Sequence, residues 1–134
     1  MASETQESIY RWMAETFPGM APKSPRKAIR ALEEMVELCL AAGASAKEID
    51  GAVCRSLHAA GFSRYHQIDG WNNDGVAHAD KIPAEAADVL IVLYGVAGMR
   101  GFDLHAEVDR KMAINRARRW KANGDGTGYH IKEG

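Results

Sequence analysis

The sequence has little of what marks a secreted, disulfide-bonded or membrane-spanning protein. It has 134 residues but only two cysteines, Cys39 and Cys54, too few for a disulfide framework and too widely spaced for a zinc site. Nowhere do about 18 apolar residues follow one another, as a membrane-spanning helix would need. The first residues include acids and lack the apolar run of a signal peptide. We therefore predict a cytoplasmic protein with reduced cysteines.

An excess of charge of either sign is also missing. The chain has 17 Lys and Arg residues against 18 Asp and Glu residues, and its formal net charge is −1. A protein without a strong overall field can bind a membrane or a nucleic acid only through a local patch. We therefore predict neither a membrane nor a nucleic acid as partner.

Strand-like alternation is absent as well, whereas helical periodicity runs through most of the chain. The stretches 62–80 and 122–134 are rich in Asn, Asp and Gly and are predicted to be a long loop and a tail. Short connections between long amphipathic helices favour an all-α antiparallel bundle, here one domain over residues 1–134 with a core of about residues 24–121. The five predicted helices are Ser3–Thr16, Pro25–Ala42, Ser45–Ala60, Pro83–Met99 and, after a cap at Asp103, the residues up to about Lys121.

Two acids stand in the most apolar of these helices. Glu85 and Asp88 are the only charged residues between Ala84 and Met99, within the segment PAEAADVLIVLYGVA. This composition predicts a helix that is buried nearly all round, where an unpaired carboxylate would be costly. The helix dipole could stabilise Glu85 in the first turn, but it explains Asp88 less well. We therefore expect the two carboxylates to share a partner.

A second acidic cluster lies on the second predicted helix, in the segment EEMVE. Glu34 and Glu37 are three residues apart, as are Glu85 and Asp88, so each pair lies one turn apart on its helix. If the two helices pack side by side, the four carboxylates converge, and Mg²⁺ or Mn²⁺ is the natural partner because hard cations prefer oxygen ligands. Taken alone, the run from Glu33 to Glu37 would rather indicate a solvated acidic face. The two pairs together favour a metal site.

Basic side chains are concentrated on the last predicted helix. Steps of four and three residues lead from Leu104 and Val108 to Lys111, Asn115 and Arg118, which predicts one inward stripe. Such a stripe could hold anionic groups by charge-assisted hydrogen bonds. Two alternatives stay open: pairing with the acids of the second and fourth helices, and a patch for nucleic-acid phosphates. The other arginines of this helix are expected to be solvated, namely Arg110, Arg116 and Arg119.

Metal-binding acids beside Lys, Asn and Arg would make a site for a polyphosphate. Divalent ions would bridge phosphate oxygens and activate water, while the basic side chains would offset the charge that develops on the leaving group. The sequence has no Walker-type glycine loop, so this phosphate chemistry would take place on a helical scaffold.

In these motifs the sequence resembles the all-α NTP pyrophosphohydrolases of the MazG-like superfamily. The family signature is EExxE on one helix and ExxD on another, followed by a helix with Lys, Asn and Arg; the counterparts here are EEMVE, EAAD and KMAINRAR. A departure is the long interval between the acidic motifs. The resemblance implies hydrolysis of an NTP to the monophosphate and pyrophosphate, in a dimer or dimer of dimers with sites near subunit interfaces. The implied Mg²⁺ ligands are Glu34, Glu37, Glu85 and Asp88, and the implied phosphate contacts are Lys111, Asn115 and Arg118.

Short segments are most similar to the branch of dATP/dGTP diphosphohydrolases, which includes the phage-encoded MazZ type. They are RWMAETFPG near the start and NRARRW followed by GDGTGYHIK near the end. The branch implies purine deoxynucleotides as substrates, although spacing does not identify the residues that bind the base. The side chains that could stack on or hydrogen-bond a base, each of which is more often packing or loop chemistry, are Trp12, Trp71, Asn72, Asn73 and Trp120.

The residues leave two other functions open. One is a non-catalytic helical module that binds nucleotides or an anionic partner through the last helix, and the other is a structural bundle whose acids and bases pair internally. The acids on the apolar fourth helix favour the enzyme, for which Glu33 and Glu37 are the candidate general bases. An apolar surface on that helix would also favour association into a homodimer or homotetramer.

Overall fold

The computed structural model describes residues 3–62 and 78–132, which form five α-helices and a two-stranded β-sheet. The predicted all-α class is confirmed, with the small sheet as an addition. The chain divides into two compact units, a terminal unit of Met1–Lys23 with His78–Gly134 and a middle unit of Ser24–Ala77. The single domain of residues 1–134 stays a prediction. The elements are α1 (Gln6–Thr16), α2 (Arg26–Ala41), α3 (Ala46–Ala59), α4 (Ile82–Arg100), α5 (Leu104–Ala117), β1 (Trp120–Ala122) and β2 (Gly128–His130).

Three of the helices begin where a polar side chain can accept a hydrogen bond from a free backbone amide. Thr5 before α1 and Ser45 before α3 each form a capping box with the residue three positions later. Asp103 caps α5 with its carboxylate. Because Thr5 is the cap, α1 starts at Gln6 and not at the predicted Ser3.

In the middle unit, α2 and α3 contact each other and contribute half-buried apolar side chains. Met35 and Cys39 lie one turn apart on α2, and Cys54 and Leu57 lie one turn apart on α3. Both cysteines are free thiols. Most of the predicted loop of residues 62–80 lies outside the described residues. Its last two residues begin a 3-10 turn, Ala79–Lys81, directly before α4.

The prediction that α4 is buried nearly all round is wrong within its own unit. Of its residues only Ala97 is buried, whereas Ile91 and Val92 are 63% and 61% exposed. Helical spacing places Val92 and Asp88 on the side opposite Ala97. Within the terminal unit, contact with α5 therefore covers one side of α4 and leaves a broad apolar face open.

By length and composition alone, the helical segment Ala79–Arg100 could cross a membrane. This is weak evidence, because a helix that is covered by another protein surface has the same composition. Glu85 and Asp88 lie inside the segment, and carboxylates in hydrocarbon are costly. The two acids therefore argue against a membrane span.

α5 ends earlier than predicted, and the predicted tail contributes to a β-hairpin. The helix stops at Ala117, because the backbone at Arg118 is extended, with φ −78° and ψ 156°. β1 and β2 pair antiparallel, with Trp120 opposite His130. In the turn between them, the backbone N–H of Thr127 donates to the Asp125 carboxylate at 3.0 Å. Each strand has three residues, too few to show alternation in the sequence.

The turn of the hairpin packs on the loop that follows α1. The backbone N–H of Gly126 donates to the carbonyl oxygen of Pro18 at 2.8 Å. A Cβ on Gly19 would lie 2.0 Å from the carbonyl oxygen of Gly124, and one on Gly126 would lie 2.1 Å from the Cβ of Met20. The two backbone segments approach so closely that only glycine fits at both positions.

Gly19→Ala should destabilise the protein more than Gly101→Ala. Both positions have positive φ, 99° and 75°, so each substitution should cost about 1–2 kcal/mol for the left-handed backbone. Only at Gly19 would the new methyl group also meet another backbone segment, which should add about 1–3 kcal/mol, whereas nothing lies within 4 Å at Gly101. Urea denaturation followed by tryptophan fluorescence measures both losses. Equal losses would contradict the close contact between loop and hairpin.

Candidate functional site

The acids of α4 are exposed in the first half of the helix. Glu85 lies in the first turn and Asp88 lies one turn later. Within the described part of their unit, neither side chain has a hydrogen bond or an ion pair. Within the terminal unit both carboxylates are exposed to water, and the helix dipole adds to the stability of Glu85. The pair is therefore available to a ligand from outside the chain.

The acids of α2 form an exposed network with an arginine on the same helix. Arg30 donates to Glu33 at 3.1 Å and also to Glu34, which lies four residues later. Exposed ion pairs of this kind contribute little to stability, so a ligand can displace them at small cost. Glu37, one turn on, is exposed and has no partner in the described part of the middle unit.

Each carboxylate pair has the donor chemistry for a hard divalent cation. Carboxylate oxygens are the ligands that Mg²⁺ and Mn²⁺ prefer, and two carboxylates one turn apart lie on neighbouring sides of a helix. Within the described residues of either unit, no group of three or more His, Cys, Asp or Glu side chains lies close enough to hold a metal ion. α2 and α4 belong to different units, so the site formed by Glu34, Glu37, Glu85 and Asp88 stays a prediction.

Two of the predicted phosphate-binding side chains lie on α5, and the third follows its end. Asn115 is half-buried on the side of the buried Met112, whereas Lys111 is exposed. Arg118 is half-buried, but its extended backbone breaks the predicted helical stripe. Within the described residues of the terminal unit, neither Lys111 nor Arg118 has an ion pair. The basic residues of α5 therefore do not pair with the acids of α4, whereas pairing with the acids of α2, the other half of that alternative, is not tested.

Arg116 is exposed, as the sequence suggested, but it also joins α5 to the segment before α1. Its Nε and Nη2 donate to the two carboxylate oxygens of Glu4 at 2.8 and 3.0 Å. Hydrogen bonds from Arg116 and from the Ser8 hydroxyl lower the pKa of Glu4 from 4.5 to about 2. The same pairing raises the pKa of Arg116. By contrast, Arg110 pairs only locally on the outer surface, with Glu107 at 2.7 Å.

Two tryptophans that could have contacted a base are engaged in packing. Trp12, Phe17 and Trp120 form a cluster of edge-to-face contacts with ring centroids 5.4–5.8 Å apart, and His130 packs against Trp120 at 5.8 Å. The indole N–H of Trp120 donates to the backbone carbonyl of Asn115 at 2.8 Å, so it is not available to a base. The remaining candidates for the base lie outside the described residues, namely Trp71, Asn72 and Asn73.

A tyrosine and a histidine that sequence reasoning missed join α4 to α5. The hydroxyl of Tyr94 lies 3.0 Å from Nε2 of His105, and the two ring centroids are 5.5 Å apart. Both residues are exposed. Each falls in an ordinary helical pattern, so only the packing of the two helices identifies them as a pair.

Two phage proteins are similar to part of this chain. A protein named dATP/dGTP diphosphohydrolase from Salmonella phage PMBT28 is 44% identical over 50 residues, which cover 37% of this chain and 17% of the relative. A protein of the same name from Cyanophage S-2L is 43% identical over 49 residues, which cover 37% of this chain and 47% of the relative. The chain thus spans less than half the length of either relative. No family model and no solved structure matches the chain. The relatives support the predicted resemblance to dATP/dGTP diphosphohydrolases over about a third of the chain. No family model confirms the resemblance to the wider MazG-like superfamily.

Glu4→Gln should destabilise the protein at neutral pH, and the effect should fade in acid. Because the pKa of Glu4 is lowered from 4.5 to about 2 on folding, its contribution is complete above about pH 5 and is lost as the pH falls toward 2. Denaturation of wild type and Glu4→Gln across this range measures the difference. The control is Glu7→Gln, which removes an exposed ion pair with Arg11 on α1 and should change stability little. A gap between wild type and Glu4→Gln that persists unchanged to pH 2 would contradict the assignment.

Proposed function

We propose that the protein is a metal-dependent nucleoside triphosphate pyrophosphohydrolase that converts purine deoxynucleoside triphosphates, dATP or dGTP, to the monophosphate and pyrophosphate. The observation that carries the proposal is the similarity to two proteins named dATP/dGTP diphosphohydrolase. The exposed pair Glu85 and Asp88 supports it, because the described part of their unit offers these acids no structural partner. Acids without a structural role in an apolar helix are candidates for a functional one.

The carboxylates of Glu34, Glu37, Glu85 and Asp88 would hold Mg²⁺ or Mn²⁺. When bound, such an ion supplies Lewis acidity toward phosphate oxygens and favours deprotonation of water. Glu33 and Glu37 are the candidate general bases, since each presents an exposed carboxylate that can accept the proton of the attacking water. Arg30 would leave Glu34 when the ligand binds, at the small cost of an exposed ion pair.

Lys111, Asn115 and Arg118 would bind the β and γ phosphates. Lysine and arginine donate charge-assisted hydrogen bonds, and the asparagine amide donates a neutral one. With the outer phosphates held there, water attacks the α-phosphorus and the P–O bond to the β phosphate breaks. The bonding electron pair stays on the departing pyrophosphate oxygen, and the basic side chains offset its charge. Pyrophosphate therefore leaves in one step.

The proposal also includes a location and an assembly. The protein acts in the cytoplasm, that of the host if a phage encodes it, as a homodimer or homotetramer. The open face of α4 supports association, since a contiguous apolar surface of this kind is unusual on a monomer. A two-fold axis would let the same face of a second copy cover it. Its most exposed side chains are Ile91 at 63%, Val92 at 61% and Met99 at 89%.

Wild-type protein should release pyrophosphate from dATP or dGTP with Mg²⁺ or Mn²⁺ and should be inactive with chelator. Chromatography of a partial time course should show the monophosphate and no diphosphate. Asp88→Asn should lower turnover at least about 100-fold without unfolding the protein, because it removes ligand charge and almost no volume. The matched control is Asp80→Asn, an equal change at an exposed residue just before α4, which should keep wild-type turnover.

Each contrary result identifies the part that fails. A diphosphate intermediate with free orthophosphate would contradict attack at the α-phosphorus, and activity confined to pyrimidine nucleotides would contradict the purine assignment. Near-native turnover of Asp88→Asn at limiting Mg²⁺ would contradict the role of the carboxylates. Nucleotide binding without turnover would select the non-catalytic binding module, and neither binding nor turnover would select the structural bundle.

Val92→Glu should reduce the molar mass of the assembly in light scattering, because it places a charge in the middle of the open face of α4. Tyr10→Glu is the matched control, since Tyr10 is an apolar residue that is 71% exposed on α1 and not on α4. It should leave the mass unchanged. A monomeric wild type, or an unchanged mass for Val92→Glu, would contradict association through α4.

A further inference from the structure

The end of α5, which leads into two of the proposed phosphate-binding residues, is weakly held by its own hydrogen bonds. The backbone N–H of Arg118 is shared between the carbonyl oxygens of Ile114 at 3.2 Å and Asn115 at 3.3 Å, distances at the long end for such bonds. The chain then leaves the helix in an extended conformation and not through a glycine cap. The last carbonyl groups of a helix need partners from outside it. The positions of Asn115 and Arg118 therefore depend on other segments.

The first of these contacts comes from Trp120. Its Nε1 donates to the carbonyl oxygen of Asn115 at 2.8 Å, which is shorter than either bond made by the Arg118 amide. The indole is held by edge-to-face contacts with Trp12 at 5.8 Å and Phe17 at 5.4 Å. Its backbone is held in the pairing of β1 with β2. Because the indole of Trp120 is held by these contacts, its hydrogen bond also holds the carbonyl group of Asn115 in place.

The second contact comes from Glu4, which precedes α1. Its two carboxylate oxygens accept from Nε and Nη2 of Arg116, the residue next to Asn115. Glu4 is itself fixed, because its backbone N–H donates to the Asp109 carboxylate at 2.8 Å and its side chain accepts from the Ser8 hydroxyl. A two-point pairing of guanidinium with carboxylate sets orientation as well as distance.

We infer that Trp120 and Glu4 are positioning residues for phosphate binding, which hold the end of α5 so that Asn115 and Arg118 can meet the substrate. This inference rests on the proposed function. Trp120 acts through the backbone of Asn115, and Glu4 acts through the side chain of Arg116. The acids of α2 and α4 are not part of this arrangement.

The inference has a kinetic consequence that a general loss of stability does not have. The outer phosphates carry most of their negative charge already in the ground state, so residues that help to hold them should affect KM more than kcat. Loss of either positioning contact should therefore raise KM for the triphosphate by roughly threefold to tenfold, the range for one lost hydrogen bond. The value of kcat should fall by a smaller factor than KM rises, because the outer phosphates carry most of their charge before the bond breaks and the groups that activate water are unchanged.

Steady-state kinetics of Trp120→Phe and Glu4→Gln, with dATP or dGTP and Mg²⁺, test this. Trp120→Phe keeps an aromatic ring and removes the N–H donor, and Glu4→Gln keeps the shape and removes the charge. Phe17→Leu perturbs the same aromatic cluster without touching α5 through a hydrogen bond, and Glu7→Gln removes an exposed carboxylate of α1. Glu7→Gln should keep the wild-type KM, and Phe17→Leu should raise KM less than Trp120→Phe does, because it loosens the indole without removing its N–H donor. Hydrogen exchange of the Arg118 amide should be faster in Trp120→Phe than in Phe17→Leu, which gives a readout independent of activity.

Arg118→Ala separates this inference from the function on which it rests. A raised KM in Arg118→Ala with a wild-type KM in Trp120→Phe and Glu4→Gln would overturn the positioning role and leave the proposed function intact. An increase in Phe17→Leu as large as in Trp120→Phe would also overturn it, since that result reports loosening of the whole cluster. A wild-type KM in Arg118→Ala, or a wild type without pyrophosphate release, would overturn the proposed site and the inference together.

Discussion

The edge-to-face contacts of Trp120 with Trp12 and Phe17 tie the two ends of the chain together, and much of the terminal unit depends on them. A hairpin with three-residue strands is marginal by itself and needs a surface to pack on. That surface is α1 and the loop after it, where Gly19 lets the two backbones meet. Removing α1 would therefore expose the hairpin and leave the end of α5 without its main supports.

α4 presents the opposite physical situation, because its stability in this chain owes little to burial. Helical spacing places Asp88, Val92 and Met99 on one side, and Ala97 faces away from that side. Any surface that covers Val92 therefore comes within one turn of Asp88, where it must satisfy a carboxylate as well as apolar side chains. If the proposed function is right, association through α4 and ligand binding at Glu85 and Asp88 therefore affect each other.

The sequence predicted the helical parts of this fold well, because caps and periodicity are local signals. Ser45 and Asp103 marked the starts of α3 and α5, and Gly43 marked the stop after α2. The end of α5 was misplaced, because residues 118–121 continue a helical pattern and the pairing that overrides it involves residues about ten positions later. The segment NGDGTG has the composition of a turn, but the three-residue strands on either side are too short to be recognised in the sequence, so no hairpin was predicted.

The candidate site was predictable only where its residues share a helix. The spacings of Glu34 with Glu37 and of Glu85 with Asp88 follow directly from one turn of helix. The exposure of α4 was not predictable, because an apolar helix looks the same in sequence whether its own chain or another surface covers it. The pairing of Arg116 with Glu4 was hidden for a different reason, since more than a hundred residues separate the two in the sequence and no local pattern connects them.

Within the terminal unit, the proposed phosphate-binding residues differ from the neighbouring arginines in their ion pairs. Arg110 and Arg116 are each satisfied by a glutamate, whereas in the described part of that unit Lys111 and Arg118 have no ion pair although α4 contributes two exposed acids to it. The acids of α4 and these two basic residues therefore keep their charges available to a ligand. A polyphosphate held by divalent cations is a ligand that can use both at once, because its oxygens accept from basic side chains while carboxylates bind the cations. On the proposed function, a nucleoside triphosphate with its cations therefore suits the site better than a simple anion, because a simple anion would leave the carboxylates without a partner.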